Sequence, residues 1–166
     1  MEISLKTNVL IVGAGPTGLL GSILLSQLGI DHVVIDRKTA INQAPAAHVI
    51  NTRTLEIYRQ AGLDMERLYG ASRHAMPRYI SWLTALDEPV LGRFDLMGDE
   101  SSLTRRLAAS RDLTSNISQN HLEEILLEKA QENHHARIFL GNEWLEFERR
   151  GATDVSLVKS DRKSVV

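Results

Sequence analysis

A chain of 166 residues with 43% hydrophobic and 24% charged side chains has the profile of one ordinary globular domain, which excludes a disordered tail. Its 19 Lys and Arg against 21 Asp and Glu leave a formal charge of −2, so no basic field exists to hold nucleic acid. Cysteine is absent, which excludes disulfides, thiolate nucleophiles and Cys-ligated metals, and fits the reducing conditions of a cytoplasmic protein.

Residues 9–12 are an unbroken apolar, β-prone run that stops at glycine, as expected of a parallel strand buried on both faces. From Leu19 the period changes: Leu19, Leu20, Ile23, Leu24 and Leu28 stand at helical spacing, and Gly29 supplies the stop. The apolar-rich stretch 18–30 is too short to span a bilayer and contains Ser22, Ser26 and Gln27, so neither a membrane anchor nor a secretory signal is expected. His32 to Ile35 reads as a second strand ending at Asp36.

Between strand and helix lies Gly13-Ala14-Gly15-Pro16-Thr17-Gly18. Gly13 permits the tight turn, Gly15 lets backbone approach a diphosphate, and Gly18 lets helix and strand pack closely. The N–H groups and positive end of this first turn, which includes Pro16 and Thr17, suit phosphate charge. Asp36, 18 residues beyond Gly18, can accept the hydroxyls of an adenosine ribose, and an acid there makes NADP the least favoured dinucleotide. The competing reading is a glycine-rich turn in a nucleotide-free α/β fold.

Residues 51–63 read on physics alone as an amphipathic helix after a polar loop, with Asn51 as cap and Gly62 as terminator. Residues 9–19 with Asp36-Arg37, this segment, and residues 117–127 (ISQNHLEEILL) together resemble the amino-terminal portion of the FAD-dependent aromatic-ring hydroxylases. That family comprises the para-hydroxybenzoate hydroxylase-like monooxygenases and the polyketide and phenol hydroxylases. The resemblance implies that Gly13, Gly15 and Gly18 hold the FAD diphosphate, Asp36 the ribose, Arg37 the adenine side, and Gln119 the ribityl chain and flavin. The family usually carries an Arg-Ala pair after the proline near Pro45, whereas this chain has Ala46-Ala47, and Arg53 is the candidate substitute on the phosphates. Arg53 as a solvated cation and Gln119 as an ordinary first-turn polar residue are the plainer alternatives.

Further along, residues 79–83 and 90–96 read as short strands around a turn at 86–89, and residues 107–111 as the return to the nucleotide domain. Trp82 and Phe94 belong to sheet packing or, by the resemblance, to a wall against the substrate ring. Arg105 and Arg106 read as a solvated pair, with approach to phosphate as the alternative. Ser118 is a cap for a helix with inner face Leu122, Ile125, Leu126 and Ala130. Residues 137–140, 144–148 and 155–159 read as three strands of an antiparallel meander in which Trp144 and Phe147 pack the layer. His121, His134 and His135 lack metal-site spacing, so no metal is assigned.

The expected architecture is α/β: a Rossmann-like FAD-binding βαβ unit with a parallel sheet, an antiparallel meander and the start of a substrate-binding sheet. Residues 1–70 form the first part of the FAD-binding domain, 71–105 the start of the substrate-binding region, and 106–166 the FAD-binding domain, continued and truncated. The resemblance implies the FAD-binding portion of a monooxygenase that hydroxylates an aromatic small molecule with oxygen and NAD(P)H as transient reductant. Little or no activity is expected of the isolated chain, and no catalytic residue is assigned. The alternatives are another FAD-dependent oxidoreductase of the same fold, or a non-catalytic dinucleotide-binding module acting with a partner. A homo-oligomer or a complementing subunit is left open, while nucleic acid and membrane are not expected as partners.

Overall fold

The β-branched runs at 9–12 and 32–35 form neighbouring parallel strands because a helix of suitable length carries the chain back between them. The computed structural model describes residues 5–41, 43–44, 46–72, 78–96, 98–151 and 153–160. In chain order the elements are β1 (Val9–Val12), α1 (Pro16–Gln27), β2 (His32–Asp36), β3 (Val49–Ile50), α2 (Thr52–Gln60), α3 (Met65–Gly70), β4 (Tyr79–Trp82), β5 (Gly92–Asp95), α4 (Glu100–Ala109), β6 (Ser115–Asn116), α5 (Gln119–Gln131), β7 (Ala136–Leu140), β8 (Asn142–Arg150) and β9 (Thr153–Ser160).

The parallel sheet has the order β1-β2-β7, so β2 is its centre. Val33, Val34 and Ile35 of β2 are buried, whereas β1 is an edge strand and Val12 is 55% exposed. The expectation that β1 is buried on both faces is thus corrected: Val9, Leu10 and Ile11 are only partly buried and Val12 is exposed. Residues 136–140 correct a second expectation. They join the parallel sheet beside β2, and of the three strands expected in the meander β8 and β9 alone pair antiparallel, as a hairpin. A parallel strand needs a crossover of helix length before it, and α5 supplies that crossover.

Helix α1 packs against α5 and β2 through Leu19, Ser22, Ile23 and Ser26. Leu24 and Leu28, at the same helical spacing as Leu19 and Ile23, are exposed. The helix is apolar around most of its circumference, and the small serines face inward where neighbours come close. Ser22 Oγ donates to His32 Nε2 at 2.7 Å, while His32 Nδ1 donates to the Ile30 carbonyl at 2.8 Å. Both side chains are sealed from solvent, so this pair tethers α1 to β2 and is not an accessible nucleophile.

The inner face of α5 is as expected, with Leu122, Ile125, Leu126 and Ala130 buried together with Glu123. Burial of each such leucine or isoleucine stabilises the fold by about 1.5–3 kcal/mol. Asn51 caps α2 by accepting from the Thr54 N–H at 2.8 Å, and Gly62, at φ +75°, ends the following turn. Helices α3 and α4 had no counterpart in the sequence reading. The strand β3 pairs antiparallel with β6, and β4 with β5.

A buried carboxylate fastens the return segment. Asp112, 2% exposed, accepts Arg59 Nε at 2.9 Å, Arg59 Nη2, and Tyr69 Oη at 2.7 Å. It thereby ties α2 and α3 to the stretch that leads into β6 and α5.

Candidate functional site

Helix α1 begins at the carboxyl end of β1, and α5 returns into β7, which runs parallel to β1 and β2. The amino-termini of both helices therefore lie at the carboxyl edge of the sheet, where open α/β sheets bind ligands.

The glycine loop at that edge is shaped by three different constraints. Gly13 sits at φ +108°, a conformation side chains rarely adopt. A Cβ on Gly18 would lie 1.9 Å from the Gly13 carbonyl oxygen, so glycine is required there by packing. Gly15 is different: a Cβ would meet nothing within 4 Å, and its backbone is extended at φ −83°. Among the described residues the space over Gly15 is thus left open. The first α1 bond runs from Leu19 N–H to Gly15 O at 2.9 Å, so the Thr17 and Gly18 N–H groups precede the ladder, and Pro16 has none. No side chain caps this turn. An anion over Gly15 would meet these donors and the positive helix end.

Asp36 ends β2 beside the loop. Its Oδ2 accepts Ala14 N–H and its Oδ1 accepts Lys38 N–H, both at 2.8 Å. Each carboxylate oxygen has further acceptor capacity, so this arrangement leaves one site on each for a pair of ribose hydroxyls. The two backbone bonds hold the carboxylate in place for that task. Gly13, Asp36, Arg37 and Lys38 line one cleft of about 320 Å³, and Trp144 closes it from β8. Gly13, Thr17 and Gly18 also line the groove between β1 and α1.

Gln119 opens α5. Its N–H donates to the Ala47 carbonyl at 2.9 Å, its Oε1 accepts Ala47 N–H at 3.4 Å, and its Nε2 donates to buried Glu123 Oε1 at 2.7 Å. Gln119 therefore grips the backbone where the resembled family carries its arginine, while Pro45 lies outside the described residues. Ser118 is the residue before α5, as expected, but its hydroxyl meets Asn120 Oδ1 and caps no backbone group. Arg53 is exposed at the start of α2 and pairs with Glu56 at 3.2 Å, with no described contact to the glycine loop. Arg105 and Arg106 lie on α4, turned onto Ser102 and, for Arg106, the Leu96 carbonyl.

Sequence reasoning missed Trp144 as a neighbour of Asp36, and it missed Asp112. The first depends on the long-range approach of β8 to β2, which no local periodicity encodes. A signal for it exists in Gly141, which follows β7 and sets an aromatic residue three places beyond the sheet's carboxyl edge.

The FAD binding domain family model matches residues 6–165. The chain is 33% identical over 135 residues to a 2,4-dichlorophenol 6-monooxygenase of Cupriavidus pinatubonensis, covering 78% of this chain and 22% of that protein. It is 33% identical over 128 residues to a phenol 2-monooxygenase of a Pseudomonas species, covering 75% of this chain and 21% of that protein. Among solved structures, the flavin-dependent monooxygenase PieE in complex with FAD and substrate superposes with a TM-score of 0.81 at 27% identity, over 95% of this chain and 27% of that one. The chain thus spans about a fifth to a quarter of the length of these relatives. With the loop, the acidic strand end and this match along nearly its whole length, the chain belongs to the FAD-binding domain family of the FAD-dependent aromatic-ring hydroxylases.

Proposed function

We propose that this chain is the FAD-binding portion of a flavoprotein monooxygenase that hydroxylates an aromatic small molecule, with NAD(P)H as reductant and oxygen as co-substrate. The observation that carries the reading is the open cradle over Gly15, bounded by the Thr17 and Gly18 N–H groups and by an Asp36 carboxylate with one acceptor site free on each oxygen. When bound, FAD supplies the redox chemistry that no side chain here provides. The protein's part is positional. The first turn of α1 binds the diphosphate, Asp36 holds the adenosine ribose, and Arg37 lies on the adenine side of the same cleft. Gln119 fixes the Ala47 backbone against α5 and stands toward the ribityl chain, and Arg53 is held in reserve as a phosphate contact. Residues 1–70 and 106–166 build the cofactor domain, and 71–105 open the substrate-binding region. Because the chain spans about a fifth to a quarter of the length of the monooxygenases it matches, the isolated chain is expected to turn over aromatic substrates little or not at all.

The test is the absorbance spectrum after incubation with FAD and removal of free cofactor. The parent chain is expected to retain a flavin band near one equivalent. Gly15→Leu is expected to lose it while keeping its circular dichroism, because the leucine fills space the protein leaves open. A folded parent chain that retains no flavin refutes the reading, and a Gly15→Leu chain that retains it as well as the parent refutes the cradle.

A further inference from the structure

We infer that Trp144 is the wall on which the adenine ring of the bound dinucleotide stacks, a proposal that rests on the FAD reading above. Gly141, at φ +71°, turns the chain from β7 into β8, and its N–H donates to the Lys38 carbonyl at 2.8 Å. That bond pins the turn to the segment just after Asp36 and brings Trp144 into the cleft that Asp36 and Arg37 line. The indole is held there, with Trp144 opposite Val158 in the hairpin and its Nε1 donating to Ser156 Oγ at 3.4 Å. It is nevertheless 38% exposed, so packing within the chain does not account for a side chain of this size.

Chemistry selects the occupant. A ribose whose hydroxyls bond to Asp36 carries its base on the adjacent ring carbon, so the base enters the same cleft. The isoalloxazine is separated from that ribose by the diphosphate and ribityl chain, and it belongs elsewhere. A purine offers two flat faces and an indole offers one large complementary face, with the polar handle of the indole already satisfied by Ser156. Stacking of this kind recognises a base by area, so it favours adenine over a smaller pyrimidine.

The sequence holds two tryptophans, Trp82 and Trp144, so Trp82→Phe leaves Trp144 as the sole indole emitter. ADP, which lacks the flavin, is expected to quench this emission saturably and in step with its affinity by calorimetry, whereas inorganic pyrophosphate leaves the emission unchanged. Trp144→Ala is expected to weaken ADP binding by roughly 5-fold to 100-fold and leave pyrophosphate binding unchanged, with Trp144→Phe restoring most of the loss. A merely structural role would weaken both ligands together. ADP that binds without moving the emission, or that binds the alanine variant as tightly as the parent, overturns the proposal and leaves the FAD reading standing. A folded chain that binds neither ADP nor FAD overturns the FAD reading and this proposal with it.

Discussion

Around the parallel sheet, Leu19, Ile23, Val34, Leu55 and Leu126 are withdrawn from solvent into one continuous core with α2, α3 and α5. The β4–β5 hairpin treats residues of the same kind in the opposite way. Ile80, Trp82 and Phe94 share one face and all are exposed, while Tyr79, Ser81, Arg93 and Asp95 share the other. On that polar face the Arg78 and Arg93 guanidinium groups lie 5.2 and 5.0 Å from the Tyr79 ring centre. Helix α4, which follows, buries none of its residues. A two-stranded hairpin is marginal by itself, so its apolar face gains nothing from the fold as described. The end that carries the glycine loop closes its own core, whereas the hairpin leaves a sorted apolar face exposed.

The largest expected effect breaks the comparison most directly. Leu126→Ala removes a fully buried side chain from the contact between α5 and the core, and it should cost about 2–5 kcal/mol of stability, read from urea midpoints. Trp82→Ser, although it deletes a larger apolar group, should move the midpoint by less than about 0.5 kcal/mol because its face is uncovered. Equal losses at the two positions would mean that the hairpin is packed as tightly as the core, and the division into two regions would fall.

A finer contrast lies inside the glycine loop. Gly18→Ala drives a methyl group into the Gly13 carbonyl and should cost about 1–3 kcal/mol. Gly15→Ala meets open space, so the loss of a good helix-capping residue and the gain from a less flexible unfolded chain should cancel to within about 1 kcal/mol. Flavin retention should fall in both variants, but only Gly18→Ala should also melt earlier. If both melt alike, Gly15 is structural and the cradle is not an open site.

These constraints were legible in unequal measure. The loop, Asp36, the Asn51 cap and the inner face of α5 follow from local spacing, and the structure has them where the sequence puts them. The edge position of β1 was not legible, because an apolar run reads alike whether one or both of its sides are paired. Nor was the inner face of α1, whose leucines surround it so completely that spacing does not single out Leu19, Ser22, Ile23 and Ser26 as the buried side. The placing of β7 in the parallel sheet and of Trp144 beside Asp36 depends on partners more than 100 residues away. Asp112 also depends on non-local partners, Arg59 and Tyr69, which lie 53 and 43 residues away on two different helices.

Asp112 supplies the smallest and most specific prediction, because it is the residue through which the chain re-enters the core after the exposed region. The Arg59 guanidinium holds its carboxyl below the usual range, against the opposing pull of burial, with Tyr69 assisting. Burial first, and then Asp112, push the Tyr69 hydroxyl up to about 12, so it remains a donor throughout the working range. A depressed carboxyl contributes stability that is complete above its unfolded value of about 3.9 and is lost as pH falls below it. Asp112→Asn removes that charge, so it should be less stable than the parent at pH 7, with the gap narrowing as both are titrated from pH 5 toward pH 3. The depressed carboxyls of Asp31, Asp99 and Glu128 are common to both proteins and shift the two curves together, whereas Glu56, which the Asp112 charge pushes up, is lowered further in the variant. Urea midpoints across this range decide the matter. A gap that stays constant to pH 3 would mean that Asp112 acts through shape and hydrogen bonding alone, and the join between the two regions would then be insensitive to acid.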